Sequence, residues 1–214
     1  MDLQTVALLA PGFVMGLTIH EFSHALMAYR LGDNTAAQLG RLTLNPLKHL
    51  DFFGSLMLVF AGFGWAKPVP VNAMNLKNPR SDMLWISLAG PFSNLLLAIT
   101  VGSIIQFFYA AELTQFGGER SILFVLLLQT IWINVILAIF NMIPLPPLDG
   151  SSILEAVIPR KWFAQYHLIS RVGPGLLLGL FVLSSLLGFP IFSRVLLPVA
   201  RPVFDFCLGG WQLL

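Results

Sequence analysis

An apolar segment from about residue 6 to residue 31 contains three ionisable side chains, in the run His-Glu-Phe-Ser-His at positions 20–24. A segment of this length can cross a bilayer as a helix, and ionisable groups are costly at that depth unless they act together. On a helix, His20 and His24 lie on one face about 6 Å apart along the axis, so they could bind one metal ion. Glu21 lies beside them, in the general-base position of an H-E-x-x-H helix.

The composition places this segment in a membrane protein. Hydrophobic residues make up 57% of the 214 residues and charged residues only 10%, against roughly 25% charged residues in an average soluble domain. We therefore expect an integral, multi-pass membrane protein that does not bind nucleic acid. The chain has no long polar block, so we expect residues 1–214 to form a single domain. Its N-terminus lacks the basic region of a signal peptide, so we expect the first apolar segment to be retained.

The hydropathy pattern predicts an all-α fold with about five to six transmembrane helices. Four segments are long enough to span, at about 6–31, 83–109, 122–143 and 168–187. A further stretch at 191–208 contains Arg194, Arg201 and two prolines, and it fits either a sixth span or an interfacial helix.

The region between the first two spans predicts smaller elements. The alternation of Ala37, Leu39, Arg41 and Thr43 favours a membrane-associated β-hairpin within 35–45. The stretch 52–65 is short for a span and contains three glycines, which favours a re-entrant segment. Residues 67–72 alternate prolines with other residues, so we expect an extended loop or an edge strand.

Basic residues set the expected orientation. Six of them lie between the first full span and the span beginning near residue 83, namely Arg30, Arg41, Lys48, Lys67, Lys77 and Arg80. The positive-inside rule puts this region in the cytoplasm and the N-terminus outside. The two histidines then lie at or below the middle of the membrane, towards the cytoplasmic side.

A catalytic zinc ion normally takes three protein ligands, so two histidines need a third partner. The candidates near the membrane are Asp149, His49, Asp51, His167 and Glu155. Asp149 stands out because it follows a proline-rich run that closes a span, where irregular backbone must line protein or a cavity. By itself, Asp149-Gly150 could equally form an ordinary turn.

Three segments together resemble the signatures of the site-2 protease family of intramembrane zinc metalloproteases. They are the His-Glu-Phe-Ser-His run, Ala-Gly-Pro-Phe-Ser-Asn at 89–94, and the run at 141–150. The resemblance implies one Zn²⁺ per chain held by His20, His24 and Asp149, with Glu21 as catalytic base and Asn141 binding or polarising the scissile peptide. It also implies that Gly90, Pro91 and Asn94 support the core.

The resemblance covers residues 15–155, with the C-terminal helices in 162–214, and it is closest to compact members without PDZ or CBS domains. It implies hydrolysis of peptide bonds within transmembrane proteins or peptides in a lipid bilayer. We expect a prokaryotic cytoplasmic membrane. An unwound substrate could pair with the 35–45 or 67–72 segment by β-augmentation. The alternatives are a membrane metal-ion transporter and a non-proteolytic relative that binds membrane proteins, but neither requires a glutamate in the general-base position.

Overall fold

A computed structural model describes residues 3–61, 64–108, 121–187 and 191–209, and it confirms an all-α fold for them. The helices are α1 (Leu3–Arg30), α2 (Thr35–Gln38), α3 (Phe52–Ala61), α4 (Pro79–Phe108), α5 (Ile122–Asn141), α6 (Asp149–Val157), α7 (Phe163–Leu186) and α8 (Ile191–Cys207). Short 3₁₀ turns lie at Pro46–Lys48, Ala73–Asn75 and Arg160–Trp162.

Four of these helices are long and apolar enough to cross a membrane. They are α1, α4, α5 and α7, and they coincide with the four full-length spans expected from hydropathy. The chain is therefore an integral membrane protein. Helix α8 has 17 residues and contains Pro198 and Pro202, and the described residues hold no fifth helix of the required length and hydropathy. A fifth or sixth span stays a prediction.

Three of the spanning helices, α1, α4 and α5, pack into a bundle in which each lies against the other two. An apolar core joins α4, α5 and α8, with Phe124, Ile131 and Ile105 fully buried. Glycines bring α1 close to α5, since a Cβ added at Gly12 would lie 2.8 Å from the Cα of Thr130. Small residues at such an interface let two backbones approach closely inside a bilayer.

The hairpin expected within residues 35–45 is wrong. Thr35–Gln38 form the one-turn helix α2, and no strand lies in this completely described stretch. The reason is local hydrogen bonding: the carboxylate of Asp33 accepts bonds from the backbone N–H and the hydroxyl of Thr35, at 3.1 and 2.5 Å. Such a bond from an aspartate to the residue two positions on favours a turn over a strand.

The glycine-containing stretch at 52–65 contains a helix of ten residues, α3. Its length of about 15 Å is half of what a span needs, as expected. Residues 62 and 63 lie outside the described part of the chain, so the re-entrant path stays a prediction. Residues 67–72 are not helical, which confirms the extended loop. Their edge-strand character is limited to one antiparallel bridge just before them, between Leu50 and Ala66.

Candidate metal centre

His20 and His24 point their imidazoles at each other from one face of α1. Their Nε2 atoms are 2.9 Å apart, and both residues are buried. The carboxylate of Asp149, the first residue of α6, places Oδ2 at 3.1 Å from Nε2 of His20 and 3.3 Å from Nε2 of His24. The structure therefore brings together three side chains that are up to 129 residues apart in sequence. Within the described ranges no other three His, Cys, Asp or Glu side chains come together in this way.

The other candidates for the third ligand lie elsewhere. His49 is fully buried, with Nε2 at 2.7 Å from the carbonyl oxygen of Thr43. Asp51 accepts a backbone hydrogen bond in the first turn of α3. Glu155 and His167 are 3.9 Å apart, and His167 is exposed while Glu155 is half-buried. None of these four belongs to the cluster.

Hydrogen bonds at Nδ1 select the tautomer that both imidazoles adopt when they are neutral. Nδ1 of His20 lies 2.7 Å from Oδ1 of Asn94, and Nδ1 of His24 lies 2.7 Å from the carbonyl oxygen of Ile86. Both partners are oxygens that only accept, so each Nδ1 carries the hydrogen and donates it. The lone pair of each Nε2 is then free and faces Asp149, which is the usual arrangement for histidine ligands.

The orientation of the Asn94 amide is itself fixed by its neighbours. Its Nδ2 donates to the carbonyl oxygen of Gly16 at 3.0 Å and to Oδ1 of Asn134 at 2.8 Å, so its Oδ1 is left to face His20. Asn134 donates in turn to the carbonyl oxygen of Thr130 at 2.8 Å. Sequence reasoning did not single out Asn134, although an asparagine inside an apolar span is the same signal that marked Asn94.

The donor set fits a zinc ion. Oδ2 of Asp149 is a buried atom that has no hydrogen-bond partner among the described residues. Three lone-pair atoms this close repel one another unless a cation lies between them. Two imidazole nitrogens and one carboxylate oxygen are the donor types that zinc takes in catalytic sites, where a fourth position is left open.

Asp149 is held in place by the proline-rich turn before it. Residues 142–148 contain Pro144, Pro146 and Pro147, and the turn folds back over the start of α6. A Cβ added at Gly150 would lie 2.5 Å from the carbonyl oxygen of Ile143. Only glycine therefore allows this close return, which directs Asp149 towards α1.

The backbone of α4 forms the floor under the imidazoles. A Cβ added at Gly90 would lie 2.6 Å from both Cε1 and Nε2 of His20, a separation that real Cβ atoms do not show. The next turn of α4 carries Asn94. The segment 89–94 therefore supports the centre in two ways, by leaving room at Gly90 and by binding His20 through Asn94.

Glu21 is buried beside the two histidines, with 8% of its surface exposed. Its Oε2 accepts a hydrogen bond of 2.9 Å from the backbone N–H of Val69. No other hydrogen bond to this carboxylate is made by the residues that the structure describes. Glu21 is thus next to the cluster but is not one of its three members.

Asn141 is the last residue of α5 and lies outside the cluster. Its Nδ2 donates to the carbonyl oxygen of Leu137 at 3.0 Å, one turn earlier in the same helix. A role in binding or polarising a peptide therefore stays a prediction for this residue.

Comparison with known proteins gives one consistent result. The family model described as Peptidase family M50 matches residues 8–180. YwhC of Bacillus subtilis, an inferred zinc metalloprotease, is 42% identical over 87% of this chain and 82% of its own length. Rip2 of Mycolicibacterium smegmatis, also an inferred zinc metalloprotease, is 30% identical over 93% of this chain and 73% of its own length. None of the solved structures gives a significant match.

Proposed function

The chain belongs to peptidase family M50, the site-2 protease family of membrane-embedded zinc metalloproteases, and from this membership we propose which residues carry peptide hydrolysis and where in the membrane it occurs. The enzyme class and the zinc cofactor follow from the family. The roles of individual residues are argued from the geometry of the centre.

We propose that His20, His24 and Asp149 are the zinc ligands. Their three donor atoms converge within 4.8 Å, and hydrogen bonds outside the cluster leave both Nε2 lone pairs free. A zinc ion bound there supplies Lewis acidity, which activates water and polarises the scissile carbonyl group. This convergence is the observation that carries the proposal.

Glu21 is the proposed general base. Its carboxylate takes a proton from the attacking water and then delivers it to the nitrogen of the departing amine. The Val69 N–H occupies Oε2, so Oε1 is the oxygen without a hydrogen bond among the described residues. We propose that Asn141 assists by donating its amide hydrogen to the developing oxyanion, which requires it to release the carbonyl oxygen of Leu137.

The proposed substrates are transmembrane proteins or peptides in the surrounding bilayer. A transmembrane helix hides its peptide groups in internal hydrogen bonds, so the substrate must unwind locally before hydrolysis. His20 lies ten residues before the end of α1 at Arg30, a distance of about 15 Å along the axis. With the basic loops in the cytoplasm, we propose that cleavage occurs towards the cytoplasmic side of a prokaryotic cytoplasmic membrane.

Residues 1–214 are proposed to act as one domain, because α1, α4, α5, α6 and α8 share contacts in one bundle. The alternatives of a metal-ion transporter and of a non-proteolytic relative are not favoured. Family membership supports a protease, and neither alternative explains a buried carboxylate beside the ligands at Glu21.

The test compares wild-type protein with Glu21→Gln in lipid nanodiscs. Bound zinc is measured by mass spectrometry, and cleavage is measured on a panel of single-span substrates. We expect both proteins to hold about one zinc ion and only the wild type to cleave. Metal flux without cleavage in either protein would show a transporter, and retained cleavage in Glu21→Gln would overturn the assigned base.

A further inference from the structure

An extended segment of six residues, 67–72, contacts the carboxylate of Glu21. We call this segment the strap. The backbone N–H of Val69 in the strap donates to Oε2 of Glu21 at 2.9 Å. Pro68 and Pro70 on either side have no N–H group. Over these three residues, therefore, the strap has a single hydrogen-bond donor, and that donor is directed at the carboxylate.

The first end of the strap is held by a buried arginine. Nη2 of Arg41 donates to the carbonyl oxygen of Lys67 at 2.6 Å, and Nη1 donates to that of Pro68 at 3.3 Å. Only 6% of the surface of Arg41 is exposed. The N–H of Lys67 also donates to the carbonyl oxygen of His49 at 2.8 Å. Three hydrogen bonds thus fix the backbone immediately before Val69.

The other end of the strap is held by a buried aspartate. Oδ2 of Asp33 accepts a bond of 2.7 Å from the N–H of Asn72, and its Oδ1 accepts one of 2.7 Å from the amide of Asn75. Asp33 is fully buried and lies three residues after the end of α1, the helix that carries Glu21. The base and the anchor of the strap are therefore attached to the same helix.

Between these ends, Val71 packs against an apolar cluster formed by Ala28, Leu76 and Ile86. The strap is thus fixed before Val69 by Arg41 and after it by Val71 and Asp33. Burying a cation and a carboxylate is costly unless their hydrogen bonds compensate for the loss of water. Here the charged groups of Arg41 and Asp33 both form hydrogen bonds to the strap, which has no regular secondary structure.

We propose that the strap positions the catalytic carboxylate: Arg41 and Asp33 hold it so that the Val69 N–H fixes Oε2 of Glu21 and leaves Oε1 for proton transfer. This inference rests on the proposed role of Glu21 as base. Val69, Arg41 and Asp33 are positioning residues, because they act through Glu21 and not on the substrate. Holding a catalytic group in one productive orientation raises the rate of the chemical step.

The direct test removes the donor while keeping the strap extended. Val69→Pro deletes the N–H, and Val69→Ala keeps it while shortening the side chain. We expect Val69→Pro to lower kcat about tenfold to a hundredfold, the range for a hydrogen bond to a charged group, with bound zinc unchanged and KM within about threefold. Val69→Ala keeps the donor, so its kcat should exceed that of Val69→Pro by about tenfold or more. Equal kcat in the two variants would overturn the proposal.

A second pair of variants tests the anchors in case Val69→Pro does not fold. Arg41→Met removes both bonds to the strap, and Arg41→Lys can restore one of them. We expect kcat to fall with Arg41→Met and to recover partly with Arg41→Lys, while zinc content stays constant. Arg201→Met on α8 is the matched control, since Arg201 is exposed and far from the strap in sequence. Wild-type kcat in Arg41→Met would contradict the proposal.

A third measurement follows the contact itself without cleavage. Amide hydrogen exchange at Val69 should be slow in the wild type and at least tenfold faster in Glu21→Ala, which lacks the acceptor. Fast exchange in the wild type, or no change in Glu21→Ala, would overturn the contact. If the wild type cleaves no substrate, the proposed function fails. If the wild type cleaves and Val69→Pro has the same kcat, only the proposed role of the strap is rejected.

Discussion

Nδ1 of His20 lies 2.7 Å from Oδ1 of Asn94, and this hydrogen bond decides which nitrogen of the imidazole faces Asp149. Because the amide oxygen only accepts, it selects the form of His20 whose Nε2 lone pair is free. Asn94 is fully buried, so an apolar side chain in its place leaves the Nδ1 hydrogen of His20 without its acceptor. Zinc affinity should therefore depend on a residue that does not touch the metal.

We expect Asn94→Leu to weaken zinc binding about tenfold to a hundredfold, the usual effect of losing such an outer partner. Zinc affinity is measured by competition with a chromogenic chelator. Ser103→Ala on the same helix is the control, because its hydroxyl is exposed and donates only to the carbonyl oxygen of Ile99 at 2.9 Å. Equal affinities in wild type and Asn94→Leu would refute the argument.

Asn134 should act on zinc only through Asn94. It accepts the bond that orients the Asn94 amide, at 2.8 Å, and among the described residues it forms no hydrogen bond with the three proposed ligands. We expect Asn134→Leu to weaken zinc binding by less than Asn94→Leu does, and the double variant to be no weaker than Asn94→Leu alone. A double-mutant cycle on the same competition assay measures this coupling. Strictly additive effects would show that the two asparagines act independently.

Gly90 should tolerate no side chain. A Cβ there would lie 2.6 Å from Nε2 of His20, so Gly90→Ala must displace the imidazole and should reduce bound zinc to well below one ion per chain. Gly179→Ala in α7 is the matched control, because no atom lies within 4 Å of its added Cβ. That substitution should leave zinc content unchanged and stabilise the helix slightly, by up to about 1 kcal/mol. Full zinc occupancy in Gly90→Ala would contradict the steric argument.

The parts of the fold that could be predicted from the sequence are those with a local signal. Hydropathy located α1, α4, α5 and α7 because each is a long apolar run. The four-residue spacing of His20 and His24 is also a local signal, and it correctly predicted that the two imidazoles share one face of α1. Asp149 required more, since its own neighbourhood also fits an ordinary turn: the proline-rich run before it favoured it among five candidates, and the resemblance was needed to select it.

The parts that could not be predicted depend on contacts between distant residues. Asp33 accepts a hydrogen bond from the N–H of Asn72, which is 39 positions away, and no local pattern in the sequence indicates this contact. The contact between Glu21 and Val69 joins positions 48 apart. Asn134 reaches Asn94 only because α4 and α5 are rotated to face each other. Helix rotation is set by packing across the bundle, which sequence periodicity does not specify.

Protonation of Asp33 should loosen the strap in acid. Burial alone would raise the pKa of the Asp33 carboxyl, but hydrogen bonds from Thr35, Asn75 and Asn72 outweigh it and hold the pKa below its usual range. A group whose pKa is lower in the folded state stabilises the fold above its unfolded pKa of about 4, and that contribution is lost as the pH falls through the folded value.

We therefore expect the difference in thermal stability between wild type and Asp33→Asn to be constant from pH 7 to about pH 5 and to shrink below about pH 4. Thermal unfolding in detergent, followed by tryptophan fluorescence, measures this difference in stability at each pH. Asp205→Asn removes an exposed carboxylate of α8 and controls for the change in net charge. A difference that disappears between pH 7 and pH 6 would contradict the direction of the pKa shift.

Metal removal should distinguish the role of Asp149 from that of Glu155, the other acidic residue of α6. Zinc that binds only the folded protein stabilises it by an amount that grows with the free zinc concentration, about 2.7 kcal/mol at one hundred times Kd. A chelator should therefore lower the melting temperature of the wild type and of Glu155→Gln, whose side chain pairs with His167 at 3.9 Å outside the cluster. Asp149→Ala lacks the proposed third ligand, so its melting temperature should already be low and should not respond to the chelator. An equal response of all three proteins would mean that Asp149 does not hold the metal.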